Sequence, residues 1–282
     1  AAVMKKRTKT FNIIWIAALS VLCLAYIFPV VLVLLNSFKV ETAISTSTTF
    51  QLPTAETFAG FSNYLNAITS QGFFKSLGYS LFITVSSVAL ILLCCSMCAW
   101  YITRVKTRVT KAIYILCVFS MVVPFQMVMF TLSLVTDRLG LGTPWGLIII
   151  YLGFGAGLAV FMFTGFMKSI PIEVEEAAMI DGCSVYGTFF KIVLPLLKPI
   201  TTTIAVLDVL WLWNDFLLPM ITLSSKELRT LTLSYFFYFG EFVNQWNLAL
   251  AAVILAIIPA VIFYMFSQKY IVEGITAGAM KG

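Results

Sequence analysis

A chain of 282 residues with 61% hydrophobic and only 11% charged positions departs from the makeup of a water-soluble domain and fits one whose solvent is lipid. Its formal net charge of +6 is dispersed beside apolar runs instead of forming one basic face, which argues against a nucleic-acid partner. The chain contains no histidine, which narrows its catalytic and metal chemistry, and no G-x-x-x-x-G-K-[ST] phosphate loop, so it is not itself an ATPase.

Six intervals with little or no charge are long enough to cross a bilayer, whose core needs ~20 apolar residues as helix. The first, from Lys9 to Lys39, follows Lys5, Lys6 and Arg7 in the manner of a signal peptide. Its apolar run reaches Leu35 and lacks a small-x-small cleavage site, so residues 1–38 read as an N-terminal segment with a retained first helix. Residues 39–75 are rich in Thr and Ser and punctuated by Pro53 and Gly60, which predicts an outer surface loop with at most short helices. The second span lies between Lys75 and Arg104, and a short basic turn from Arg104 to Lys111 leads into the third, between Lys111 and Asp137.

Within that third span, Pro124 and Gln126 mark a bend and a candidate gate. A turn from Asp137 to Thr143 with two glycines, followed by Pro144, suits a helix stop and restart before the fourth span, which runs to Lys168. Gly153-Phe154-Gly155-Ala156-Gly157 resembles a nucleotide fingerprint, but inside a membrane helix with no preceding strand it predicts close helix packing or a kink. The fifth span, between Lys198 and Lys226, contains Asp208 and Asp215; the sixth lies between Glu241 and Lys269. The expectation is an all-α polytopic membrane protein of six helices, with a five-helix core over 76–268. The glycine-spaced tail, 269–282, is expected to leave the membrane helix.

With the N-terminus inside, the inner segments carry thirteen of the 18 Lys and Arg residues and the outer segments five, so both termini are expected in the cytoplasm. All six cysteines fall in membrane or inner segments, and Cys95 and Cys98 form a C-x-x-C inside an apolar helix, where they serve as small packing residues rather than metal or redox groups.

The sizeable inner loop is 168–198, which reads as two short helices. Ser169 and Pro171 start the first, Glu173, Glu175 and Glu176 complement its positive end, and Asp181-Gly182 stops it. The second begins near Ser184 and ends at Pro195, with Pro199 preventing a straight run into the fifth span. Here Glu176-Ala177-Ala178, three residues (the first of them Met179, the last Asp181), Gly182, nine residues, then Ile192-Val193-Leu194-Pro195 matches E-A-A-x3-G-x9-I-x-L-P at every defining position. The loop thereby resembles that of ABC importer permeases of the binding-protein-dependent type I class. Ser37-Phe38-Lys39, Asn63-Tyr64, Trp213-Asn214-Asp215-Phe216 and the closing Gly274 to Gly282 are similar to the carbohydrate-uptake, maltose-type branch.

The resemblance implies a non-catalytic permease subunit in a bacterial plasma membrane, half of a translocation path for a carbohydrate. It also implies partners: a second permease chain, two ATPase subunits and an external sugar-binding protein. This chain would bind no cofactor, ATP and Mg being used by the ATPase. Glu176, Ala177, Ala178, Met179, Asp181, Gly182, Ile192, Leu194 and Pro195 would form the coupling element, with two alanines as a small-residue face that enters a cleft on the ATPase. Asp208 and Asp215, seven apart on one predicted helical face, together with Trp211 and Asn214 suggest a carbohydrate wall, since acids and amides bond hydroxyls and an indole covers a sugar's apolar face. They serve equally well to tie the fifth helix to the sister chain. An alternative class, the ion-gradient-driven secondary transporter, shares the helices and rare acids but gives no reason for the E-A-A loop.

Overall fold

The computed structural model of the chain describes residues 2–70, 72–223, 225–238 and 245–279, with side chains between 11 and 268. Its helices in chain order are α1 (Ala2–Ser37), α2 (Glu41–Thr46), α3 (Ser62–Ser70), α4 (Phe73–Arg104), α5 (Arg108–Val122), α6 (Phe125–Arg138), α7 (Pro144–Met167), α8 (Glu173–Ile180), α9 (Val185–Thr188), α10 (Leu194–Leu196), α11 (Lys198–Asn214), α12 (Leu217–Thr222), α13 (Leu231–Phe236) and α14 (Trp246–Ala279). A π-helical stretch, Phe189–Val193, joins α9 to α10. Among the described residues four helices are long and apolar enough to cross a membrane, and two bent pairs raise the number to six if each pair is one span.

Both bends have a sequence cause. The third predicted span does not run straight: α5 and α6 meet at 107°. Pro124 caps α6 without a backbone N–H to offer, and Val123 before it is held extended (φ −75°, ψ 115°), as a residue preceding proline prefers. The second bend, 75°, separates the 185–196 segment from α11 at Leu197, with Pro199 in the first turn beyond it. At the other end, α14 continues to Ala279, so the glycine-spaced tail extends the last helix rather than leaving it near Tyr270.

The chain divides into two compact units, the first comprising Ala1–Phe73 and Tyr235–Ile258 and the second Phe74–Ser234 and Pro259–Gly282. In the first unit, Asn63 is buried and its amide donates to the carbonyls of Ser37 and Lys39, each at 2.8 Å. The Tyr238 hydroxyl donates to Ala67 O at 2.9 Å beside a small alanine-lined core of Ala249, Ala251 and Ala252. Along the α1 helix from Phe11 to Ser37, Asn36 and Ser37 at its end are the residues buried within the chain, and the apolar stretch before them is left largely exposed.

In the second unit α7 is the central helix. Phe163 and Met167 are completely buried in one core cluster with Ile91 and Cys95 of α4 and Ile204 of α11; Leu147 and Tyr151 anchor another with Leu212 and Leu218. The glycine run lets neighbours come close, and α7 continues through it as one helix. A Cβ on Gly155 would lie 2.6 Å from Ile91 Cδ1, and one on Gly157 would lie 2.8 Å from the Cys117 carbonyl oxygen.

Candidate functional site

The 168–198 loop is built as a rigid element clamped from behind. All three glutamates lie in the first turn of α8, where carboxylates complement the helix N-terminus. Glu175 turns inward and is 3% exposed. Its Oε1 accepts from Arg104 Nε at 2.9 Å and Nη2 at 2.6 Å, and its Oε2 accepts the Trp100 indole N–H at 2.8 Å. Arg104 Nη2 also donates to Ile170 O at 3.0 Å, so the last turn of α4 grips both α8 and the segment leading into it. A forked guanidinium against a carboxylate fixes orientation as well as distance.

The end of α8 is equally defined. Gly182 has φ 88°, a left-handed conformation that a Cβ disfavours. Its N–H donates to Met179 O and the N–H of Cys183 to Ala178 O, each at 3.0 Å, closing a paired C-terminal cap. Ser184 then starts α9, its Oγ accepting from Gly187 N at 3.1 Å. Beyond it Phe189 and Val193 are completely buried, which pins the second half of the loop to the core.

What faces outward follows from this anchoring. Glu176, Ala177, Met179, Asp181 and Gly182 are exposed, and Ile180 is 85% exposed. Ala178 is buried, because neighbouring residues on a helix lie about 100° apart. The two alanines therefore do not share one outward face: Ala177 is the outward member and Ala178 packs against the chain. In the second half Ile192 and Leu194 are half-buried and Pro195 is exposed.

The residues of the fifth span are also split. Asp208 is 2% exposed and faces inward near Cys95, with its Oδ2 lacking a hydrogen-bond partner among the described residues. Trp211 and Asn214 lie on the exposed side of α11. The expectation of one face bearing both acids presumed a continuous helix, but α11 stops at Asn214 and Asp215 has extended backbone, φ −70° and ψ 131°. Asp215 instead accepts the Tyr151 hydroxyl at 2.8 Å, with the backbone N–H groups of Phe216, Leu217 and Leu218 around the same carboxylate. The Tyr151 ring stands edge-on to Trp211, centroids 5.7 Å apart. An indole, a phenol and a carboxylate thus adjoin at the end of α11, a combination able to cover an apolar ring and accept from hydroxyls.

Pro124 sits at the 107° break and Gln126, the second residue of α6, is exposed. A cavity of about 660 Å³ beside this break is lined largely by apolar side chains of α5, α6 and α7, among them Phe119, Val128 and Phe154. Sequence reasoning missed Trp100, Arg104 and Tyr151. Each acts across more than sixty residues of chain, and only the unusual placement of Trp and Arg together at the end of an apolar run hinted at the first two.

Comparison with known proteins fits this geometry. Residues 92–277 match the family described as binding-protein-dependent transport system inner membrane component. The chain is 40% identical over 261 residues to the probable starch degradation products transport system permease protein AmyC of Thermoanaerobacterium thermosulfurigenes, covering 93% of this chain and 94% of that one. It is 34% identical to the multiple sugar-binding transport system permease protein MsmG of Streptococcus mutans, over 99% and 100% of the two chains. In architecture it superposes with a TM-score of 0.78 on a chain of a bacterial ABC transporter involved in the import of the acidic polysaccharide alginate, at 23% identity and covering 93% and 96%, which speaks to the fold alone. With its apolar helices, its clamped E-A-A loop and these relatives, the chain belongs to the family of binding-protein-dependent transport system inner membrane components, the permease subunits of ABC importers, in its carbohydrate-uptake branch.

Proposed function

We propose that this permease forms half of the path of an ATP-driven importer of oligosaccharides, and that the outward side of α8 is where a separate ATPase subunit docks. The chain would cross a bacterial plasma membrane six times, each bent pair counting as one span, with both termini and the 168–198 loop in the cytoplasm. Its partners would be a second permease, two ATPase subunits and an external sugar-binding protein; ATP and Mg would be handled by the ATPase. The observation that carries the reading is the division of labour between adjacent acids: Glu175 is buried in a fork with Arg104, while Glu176 stands exposed beside Ile180. A loop held that firmly can transmit a push from its outer surface to α4 and the core.

At the end of α11, Trp211, Asn214 and Asp215 with Tyr151 would contribute to the wall that meets sugar. Asp208 would act inside the packing. The 107° break at Pro124 would serve as a gate-side bend. Names of relatives such as AmyC and MsmG support a carbohydrate cargo. Transport of a panel of labelled oligosaccharides into cells depleted of ATP, with the ion gradient held, tests the drive. Uptake abolished by ATP depletion is expected; uptake that persists on the gradient alone would favour the secondary transporter.

A further inference from the structure

At the polar ends of α4, α5 and α7 the second unit contains a cavity of about 710 Å³ lined by Arg104, Lys106, Arg108, Lys111 and Lys168, with Thr107, Thr110, Tyr114 and Thr164 among its other lining residues. No carboxylate lines it. Arg104 is already committed to Glu175 and the Ile170 carbonyl. The remaining four cations have no ion pair among the described residues. Four like charges around one concavity repel one another and focus a positive potential into it, a state that an anion relieves.

A second observation points the same way. Thr164, on the α7 side of the cavity, is 3% exposed, and its Oγ1 has no hydrogen-bond partner among the described residues. A threonine in a helix usually satisfies its hydroxyl on the carbonyl one turn back, and a buried hydroxyl without a partner is destabilising. Thr164 is one of the residues lining the cationic cavity, and turning its unsatisfied hydroxyl toward that space would let it donate to an oxyanion.

We propose that this cavity is a binding site for a phosphate-bearing anion, held by Lys106, Arg108, Lys111 and Lys168 with Thr164 donating from the wall. Its place argues for the headgroup of an anionic phospholipid over soluble phosphate. Two spans of membrane length end there, at Arg104 and Met167, which is the depth of lipid phosphates, and Ile102 and Tyr114 give the cavity an apolar side for the lipid's glycerol end. The occupant would also stiffen the ground on which Arg104 grips Glu175, so headgroup binding would favour a firm coupling loop. The site does not depend on what α8 docks against.

The test is native mass spectrometry of the detergent-purified full chain, with whatever subunits accompany it, titrated with phosphatidylglycerol, phosphatidylcholine and inorganic phosphate. The wild type is expected to retain phosphatidylglycerol in preference to phosphatidylcholine. Lys106→Gln/Arg108→Gln/Lys168→Gln should weaken that binding on the order of tenfold to a hundredfold. Thr164→Val should weaken it less, and Lys75→Gln/Lys226→Gln, which removes two charges elsewhere, should not. Inorganic phosphate bound by wild type and lost in the triple variant, without preference between the lipids, assigns the same site to a soluble phosphate. Should the triple variant fail to fold, the single changes Lys168→Gln and Thr164→Val carry the test, each being expected to lower binding. Variants that bind every probe as the wild type does, or a fall matched by the Lys75/Lys226 control, overturn the site.

Discussion

Glu175 and Glu176 are adjacent, yet their environments assign them opposite tasks. Glu175→Gln removes one partner of a pair whose side chains are 4% and 17% exposed and leaves Arg104 without its counter-charge, which should destabilise the loop by about 3 kcal/mol. Limited proteolysis between 168 and 198 should then accelerate, with transport lost. Glu176→Lys should leave proteolysis unchanged and still abolish transport, because that residue is exposed and, in the proposed reading, meets the ATPase. The sequence placed both among the dipole complements of a helix and, by family resemblance, set Glu176 apart as a coupling residue; it could not show that Glu175 pairs with an arginine 71 positions earlier. Tyr151→Phe removes the hydroxyl that donates to Asp215 and should lower sugar uptake together with a measurable fall in melting temperature, since a hydrogen bond to a charged group is worth about 1.5–3 kcal/mol.

Among the elements, the glycine-bearing α7 gives the sharpest expectation. Gly155→Val places a branched side chain where Ile91 stands 2.6 Å from the first added carbon, and overpacking of this kind costs about 1–3 kcal/mol. Ile91→Ala in the same chain should recover most of the loss, read as the midpoint of thermal unfolding in detergent; no recovery would mean that the α4–α7 contact does not limit packing there. The existence and the end of the loop helix α8 were legible, because acids in its first turn and glycine at its end act locally, whereas its start, at Glu173 and not at Ser169 or Pro171, and its inward face, Glu175 and Ala178, were not. The break of the third span was legible as a bend at Pro124, though not as an angle of 107°. That is the limit of charge counting: an interval without charge says that lipid is tolerated, not that the helix is straight, and the proline inside it marks where the direction changes. The same limit explains Asp215, whose seven-residue spacing from Asp208 aligned two acids only so long as the helix continued beyond Asn214.

Across the whole molecule, the second unit joins a packed α7 core to a loop clamped by the end of α4, while α1 offers a membrane-length apolar surface that the chain itself leaves uncovered. Such a chain is suited to a larger membrane assembly in which lipid or further subunits cover that surface. The family was readable because the E-A-A motif spans a short continuous segment, and the resemblance to the carbohydrate-uptake branch because Ser37-Phe38-Lys39, Asn63-Tyr64 and Trp213-Asn214-Asp215-Phe216 are equally local. The wall beside Trp211 was readable only in part, because Tyr151 comes to it from another helix. The measurement that bears most directly on the account is recovery of an ATPase with the tagged chain from its native membrane, for wild type and for Glu176→Lys. The account predicts that wild type brings down an ATPase whose activity rises with binding protein and sugar, and that Glu176→Lys inserts normally but loses that subunit or its stimulation. A variant that retains both unchanged, or a wild-type chain recovered alone and transporting without ATP, would contradict it.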